Sequence, residues 1–407
     1  MQWSVRFKAA IGNALEYYDV AIFAAVSIYL SEEFKQLGYA NATEMIWSIF
    51  ALRLVIRPLG GYVIGRYADR VGKKSALVLT SIISGGATLG MALLPIQFLG
   101  VYTPIVVLLL QVTLSFSYAG QFPSLVIYLF NSSKSNERSR ISAMLVCFAI
   151  FGVIYSFFFV FILEHFLKTE DMQSFGWRIP FILGVINIFI IFLLRVKLPN
   201  LITKNNSDSG KYFSFFIFLI TIPGSVIFYV QNISFLLILE QFNFEGNKVL
   251  YAMLSSIILF LFIAFLGVLT DKYSSAITVF NLGVYAMIFL SIPLYSIFNS
   301  NVTEWFILAQ IIMVIYNAMI LCNFSSVLAT YSKGSVAILA LGYSMASAIL
   351  GGVTPLIISY LMKVGYIYIG VFLTFCGLSF LLANKIYNSK NYNIIDTRGF
   401  LVSTSLQ

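Results

Sequence analysis

Gly65-Arg66-Tyr67-Ala68-Asp69-Arg70-Val71-Gly72-Lys73-Lys74 lies between two long apolar segments. A charged stretch this short leaves no room for a domain. It reads as a tight hairpin between membrane helices, with two glycines permitting the turn and four cations holding it on the inner side. Composition agrees. The chain is 60% hydrophobic and 10% charged, with mean hydropathy +0.92, whereas a globular domain is roughly 45–50% apolar and about 25% charged. No soluble fold hides that much apolar surface, so the solvent is lipid.

The net charge of +9 does not mark a nucleic-acid binder, because the cations sit in short loops between hydrophobic segments. Met1-Gln2-Trp3-Ser4-Val5-Arg6 resembles the charged start of a signal peptide. The apolar run that follows holds Glu16 and Asp19 and no small-residue cleavage site, so it reads as a retained first helix. Cys147, Cys322 and Cys376 fall in separate apolar spans and read as packing residues. No metal-ligand spacing occurs, and neither a metal nor a cofactor is expected.

At roughly 20 residues per spanning helix, twelve spans are predicted. The first six cover 7–30, 45–65, 75–95, 103–130, 140–167 and 177–199; the second six cover 212–240, 248–270, 276–298, 304–330, 334–361 and 365–387. Residues 1–199 then form one six-helix bundle, 200–211 a linker, 212–387 a second bundle and 388–407 a tail. With the N-terminus inside, Arg6, Lys8, the 65–74 cations, Lys134, Arg138, Arg140, Arg195, Lys197, Lys204, Lys211, Lys272 and Lys333 all fall on the cytoplasmic side. Outside remain five cations among eight acids, from Glu32 to Glu304. Linker, tail and both termini are expected to be cytoplasmic. The halves also echo each other: Gly65 and Asp69 follow span two, and Gly267 and Asp271 follow span eight, as in proteins built from duplicated six-helix bundles.

The hairpin fits a Gly-x-x-x-Asp-Arg-x-Gly-basic-basic pattern and resembles the loop between helices two and three of the major facilitator superfamily. Three further stretches resemble its metabolite–proton symporter branch, which includes proline/betaine, oxoglutarate and shikimate transporters. They are Gly12-Asn13-Ala14-Leu15-Glu16-Tyr17-Tyr18-Asp19, Arg57-Pro58-Leu59-Gly60-Gly61 and Gly176-Trp177-Arg178-Ile179-Pro180-Phe181. The second half resembles the branch only in architecture. The resemblance implies an all-α membrane protein of twelve helices in two six-helix bundles. It also implies a secondary active transporter, not an enzyme, moving a small organic solute with protons by alternating access. Two departures stand out. Where the branch carries Gly-Gly-Glu in span four, this chain has Ala119-Gly120-Gln121, and residues 388–407 lack the heptads of a coiled-coil tail.

Four charges lie well inside predicted spans: Glu16, Asp19, Arg53 and Arg57. Each costs about 2.5–3.5 kcal/mol at the bilayer centre and is a functional candidate. At 1.5 Å per residue, Glu16 and Arg57 lie roughly 12–13 Å from the inner side, and Asp19 and Arg53 about 18 Å. The pairs Glu16–Arg57 and Asp19–Arg53 are both open. Glu16 or Asp19 is expected to carry the proton. Arg53 or Arg57 is expected to bind a substrate carboxylate. The other reading is a static ion pair fixing two helices.

Asn13, Tyr17, Gln121, Gln231, Asn232 and Asn317 join the arginines as candidate solute contacts, although intramembrane amides also glue helices together. Gln111, Tyr118, Tyr229, Tyr316 and Asn323 share both readings. Gly65, Asp69, Arg70, Gly72, Lys73 and Asp271 are expected to gate the inner side. His165 reads as a surface residue at a helix end. A carboxylate or zwitterion, such as proline, betaine or an organic acid, is the expected cargo. The chain is expected as a monomer in a bacterial cytoplasmic (inner) membrane, with no nucleic-acid partner. The competing reading is a non-transporting sensor or receptor on a degenerate transporter scaffold. An embedded enzyme would need a nucleophile–base pair that one histidine and three scattered cysteines do not supply. No phosphate-binding loop for an ATP-driven pump occurs either.

Overall fold

The computed structural model describes residues 2–131, 133–199, 211–241, 248–300 and 302–398, with the side chain of Glu16 outside that description. The linker expected at 200–211 lies, except for Lys211, outside the described residues. The described chain is helical, with no strand, and its spans are numbered α1 to α12 here. Eleven helices are long and apolar enough to cross a membrane, and the bent pair Trp3–Ala25 and Ser27–Gln36 makes the twelfth.

In the first half, α1 is that bent pair, α2 joins Ala42–Val55 to Arg57–Val71, and α3 is Lys73–Ala92. Then come α4 (Thr103–Phe130), α5 (Arg138–Phe166) and α6 (Ile179–Val196). In the second half, α7 runs from Lys211–Tyr229 through a π-helical turn, Val230–Ser234, into Phe235–Gln241. It is followed by α8 (Lys248–Tyr273) and α9 (Ala276–Ile297), and by α10, which joins Thr303–Leu321 to Phe324–Tyr331. Val336–Ala346, a second π turn at Ser347–Gly351 and Thr354–Val364 make α11, and Ile367–Arg398 is α12.

Breaks in α2 and α11 precede Pro58 and Pro355, whose missing N–H cannot continue the ladder. The hairpin is tighter than its sequence suggests. Helix α2 continues through Asp69 and Arg70 to Val71, α3 starts at Lys73, and Gly72 alone makes the turn with φ +126°. Such a positive φ favours glycine. Gly65 and Asp69 are therefore helical residues, one turn apart on the same face.

One apolar core runs through both halves and across their junction, and a second, around Tyr18, Phe23, Trp177 and Phe181, fills one end of the first half. Phenylalanines such as Phe98, Phe161, Phe289 and Phe375 are exposed, which is stable only in a hydrocarbon surround. The halves meet most closely where α2 packs on α11 and α8 on α5. A Cβ on Gly65 would sit 2.7 Å from the Ala337 Cα, and one on Gly267 2.5 Å from the Ala143 Cβ.

Candidate functional site

At the Gly65/Gly267 end, each half caps a helix of the other. Asp69 accepts from the Val336 and Ala337 amides at 2.9 and 3.0 Å and from the Ser335 hydroxyl at 2.9 Å. Asp271 accepts from the Ser139 and Arg140 amides at 2.8 and 2.9 Å and from Arg140 Nε at 3.0 Å. Both carboxylates sit on the positive end of a helix in the opposite half, α11 and α5 respectively. Ser142 Oγ accepts from the Ser325 amide at 3.0 Å nearby. Among the described residues, hydrogen bonds between the halves lie at this end or near mid-depth, such as Ser344 to the Ala119 carbonyl at 3.2 Å. Of the other residues expected to gate, Lys73 is buried at the start of α3, and Arg70 is exposed.

Beyond that closure lies a central cavity of about 40 Å³ between α1, α2, α4 and α5 on one side and α7, α10 and α11 on the other. It has room for a few waters, far below the roughly 300 Å³ at which ligand pockets begin. Aromatic side chains dominate its wall. Tyr17 packs on Phe228 with centroids 5.2 Å apart, Phe122 on Tyr343 at 4.7 Å, and the Tyr17 and Tyr343 hydroxyls stand 3.4 Å apart. Among the described residues, Arg57 supplies the lining's only guanidinium, and Asn13, Ser225 and Ser347 add neutral polar groups. Asn13 Nδ2 donates to the Leu145 carbonyl at 2.8 Å, and Ser225 and Ser347 share a 3.3 Å contact.

Asp19 and Arg53 are both buried, yet they are not paired with each other. Asp19 Oδ2 accepts from Tyr118 Oη and from Thr88 Oγ1 at 2.9 Å. Arg53 Nη1 donates to Gln111 Oε1 at 2.7 Å, while its guanidinium stacks 3.9 Å from the centroid of Phe50, a cation–π contact strengthened by desolvation. Helix α4 thus holds the acid through Tyr118 and the base through Gln111, two turns apart. Among the described residues no cation lies within 4.0 Å of the Asp19 carboxylate. The Glu16–Arg57 pair rests on a side chain outside the description.

Of the expected solute contacts, Asn13, Tyr17 and Arg57 line the cavity, whereas Arg53, Gln121, Gln231 and Asn317 are buried outside its lining. Asn232 turns back to donate to the Phe228 carbonyl at 3.0 Å. Sequence reasoning assigned Arg195 to the cytoplasmic flank. It is 1% exposed and donates to the Leu77 carbonyl and to Ser81 Oγ at 3.1 and 2.7 Å, against Gly12. Nothing in a lone arginine at a helix end signals such burial. Gln310 and Ser255, which contact Gln231, carried no sequence signal beyond polarity within a span.

Twelve spans in two halves, capping each other and enclosing a cavity, define a membrane transporter rather than an enzyme. The chain belongs to the Major Facilitator Superfamily, whose family model matches residues 9–335. It is 26% identical over 380 residues to the "Putative proline/betaine transporter" of Staphylococcus haemolyticus, covering 88% of this chain and 81% of that one. It is 24% identical to the citrate-proton symporter of Klebsiella pneumoniae, covering 88% and 84%. The proton:xylose symporter XylE shares the fold, with a TM-score of 0.75 at 16% identity over 94% of each chain.

Proposed function

We propose that this transporter is a proton-coupled symporter of a small zwitterionic or carboxylate solute, working by alternating access in a bacterial cytoplasmic membrane. The observation that carries the reading is a cavity walled by aromatic rings with one arginine in its lining. A guanidinium recognises a carboxylate with two parallel hydrogen bonds, and ring faces attract a cation, above all a quaternary ammonium. A single guanidinium suits one carboxylate better than several. The names of the relatives, proline/betaine and citrate–proton transporters, support a solute in that range.

Asp19 is the proton carrier in this proposal, buried beside neutral donors with no cation within 4.0 Å among the described residues; Glu16 is the second candidate. Asn13, Tyr17 and Arg57 contact the solute first, with Arg53, Gln121, Gln231, Asn232 and Asn317 behind them. Asp69 and Asp271 hold the cytoplasmic end shut, with Gly65, Arg70, Gly72 and Lys73 completing that gate, and their release opens it. The chain works as a monomer, with bundles at 1–199 and 212–387, the linker at 200–211 and the 388–407 tail in the cytoplasm.

The test is uptake of labelled glycine betaine, proline and citrate into proteoliposomes, with and without an inward proton gradient. Gradient-driven accumulation of one of them, lost in Asp19→Asn while exchange persists, is the expected result. Accumulation indifferent to the gradient overturns the proton coupling. No uptake of any of the three overturns the assigned solute class.

A further inference from the structure

The cavity lining sets the two halves in register. Asn13 and Tyr17 of α1 answer to Ser225 and Tyr229 of α7, and Phe122 of α4 answers to Leu321 of α10; all six line the cavity. Gly65 and Asp69 of α2 answer to Gly267 and Asp271 of α8 through their shared packing and capping. Extending each register inward matches the buried polar residues of the two bundles. Two residues beyond Tyr17 is Asp19, and two beyond Tyr229 is Gln231. Twelve residues before Gly65 is Arg53, and twelve before Gly267 is Ser255. Four and eleven residues before Phe122 are Tyr118 and Gln111; four and eleven before Leu321 are Asn317 and Gln310.

These second-half counterparts form one hydrogen-bonded cluster. Gln231 Nε2 donates to Ser255 Oγ at 2.8 Å, and Gln231 Oε1 accepts from Gln310 and Asn317, each at 3.2 Å. Gln310 Nε2 also reaches Ser255 at 3.1 Å. All four residues are at least 95% buried. The equivalent first-half positions hold an acid, a base and their neutral holders. The two halves thus carry one ionisable cluster and one amide cluster at matching places.

The amide cluster is attached to the cavity wall. Gln231 belongs to the π-helical turn Val230–Ser234, directly after the lining residues Phe228 and Tyr229. Such turns carry one wide, poorly restrained loop of backbone and recur at functional sites. Tyr229 leans on the second π turn, since a Cβ on Gly351 would meet its ring at 3.0 Å. With no group that titrates near neutrality, this cluster has no means of carrying a proton.

We propose that Gln310 and Asn317 are positioning residues that hold Gln231, pin the π turn and so set Tyr229 in the cavity wall. The second half shapes the solute site while proton handling stays with the first. This rests on reading the central cavity as the solute site.

The deciding experiment reads position directly and needs no solute. Tyr229→Cys is introduced in the full chain, whose own three cysteines are buried. Its reaction rate with a small water-soluble methanethiosulfonate in native membranes is compared with and without Gln310→Ala. Tyr17→Cys, the first-half counterpart, serves as the control for general loosening. Expected is a change of about fivefold at Tyr229→Cys, the size of one lost buried hydrogen bond, with Tyr17→Cys unaltered. Asn317→Ala, a smaller lesion, is expected to act in the same direction and keeps the test open if Gln310→Ala fails to fold. Unchanged rates at Tyr229→Cys, or equal changes at both reporters, overturn the proposal. In proteoliposomes, Gln310→Ala is expected to raise the KM for whichever of glycine betaine, proline or citrate accumulates, with the dependence on external pH unchanged. A KM equal to the parent's, or an altered pH dependence, also counts against it. If none of the three accumulates, the functional assignment fails and the labelling result still decides this inference.

Discussion

Asp69 and Asp271 make the same contact in opposite directions: each leaves its own half and caps the first turn of a helix in the other, α11 and α5. Asp271 adds the Arg140 side chain at 3.0 Å, and Asp69 adds the Ser335 hydroxyl at 2.9 Å with the Lys73 cation nearby. A hydrogen bond to a charged group contributes about 1.5–3 kcal/mol. Asp69→Asn and Asp271→Asn are therefore both expected to shift the chain toward states open at this end. Thiol labelling of single cysteines beside the cap, in inside-out vesicles, reads the shift; unchanged accessibility in both variants rules out gating by these carboxylates.

Close approach of the halves depends on Gly65 and Gly267, where an added Cβ would lie 2.7 Å from the Ala337 Cα and 2.5 Å from the Ala143 Cβ. Neither neighbour has a flexible end that can yield. Gly65→Ala and Gly267→Ala are expected to lower the maximal uptake rate several-fold with little change in KM, because closure of the gate suffers and the cavity does not. A KM effect without a rate effect would refute this.

Gly72 makes the turn between α2 and α3 at φ +126°. A residue bearing a Cβ is strained there by roughly 1–3 kcal/mol. Gly72→Ala should lower the melting temperature in detergent. An equal melting temperature would mean that the turn relaxes at no cost.

Asp19 is held by Tyr118 and Thr88, with no cation within 4.0 Å among the described residues. Asp19→Asn keeps the shape and removes the titration. Expected are loss of gradient-driven accumulation, retained exchange, and uptake independent of external pH. Parent-like pH dependence in this variant would pass the role to Glu16.

Arg57 faces the aromatic cavity. A lysine retains the charge but not the two-pronged geometry. Arg57→Lys is expected to raise KM about tenfold and Arg57→Ala further, consistent with loss of one strong charge-assisted contact. Equal KM values for the parent and Arg57→Lys would argue against a bidentate solute carboxylate.

Much of this was legible beforehand because lipid imposes harsh rules. Twenty-residue apolar segments must be helices, since unsatisfied backbone groups are not tolerated in hydrocarbon. Gly65 and Asp69, read as part of a loop echoed at Gly267 and Asp271, lie instead within α2, where Asp69 caps α11. Intramembrane charge singled out Glu16, Asp19, Arg53 and Arg57 because burying charge is expensive whatever the fold. What charge alone did not reveal was partnership. The sequence reading puts Asp19 and Arg53 at equal depth on consecutive helices, yet in the structure each turns to α4, Asp19 to Tyr118 and Arg53 to Gln111. Arg195, expected on the cytoplasmic flank, is buried and sealed against Gly12.

The sequence by itself therefore determined the solvent, the number of spans and the short list of charged residues, since hydropathy and charge act locally along the chain. Only the tertiary structure decided which polar residues meet. Helix rotation and tilt are set by packing against neighbours. Two residues along the chain, about 200° around a helix, separate Tyr229 in the cavity wall from Gln231 in the buried cluster.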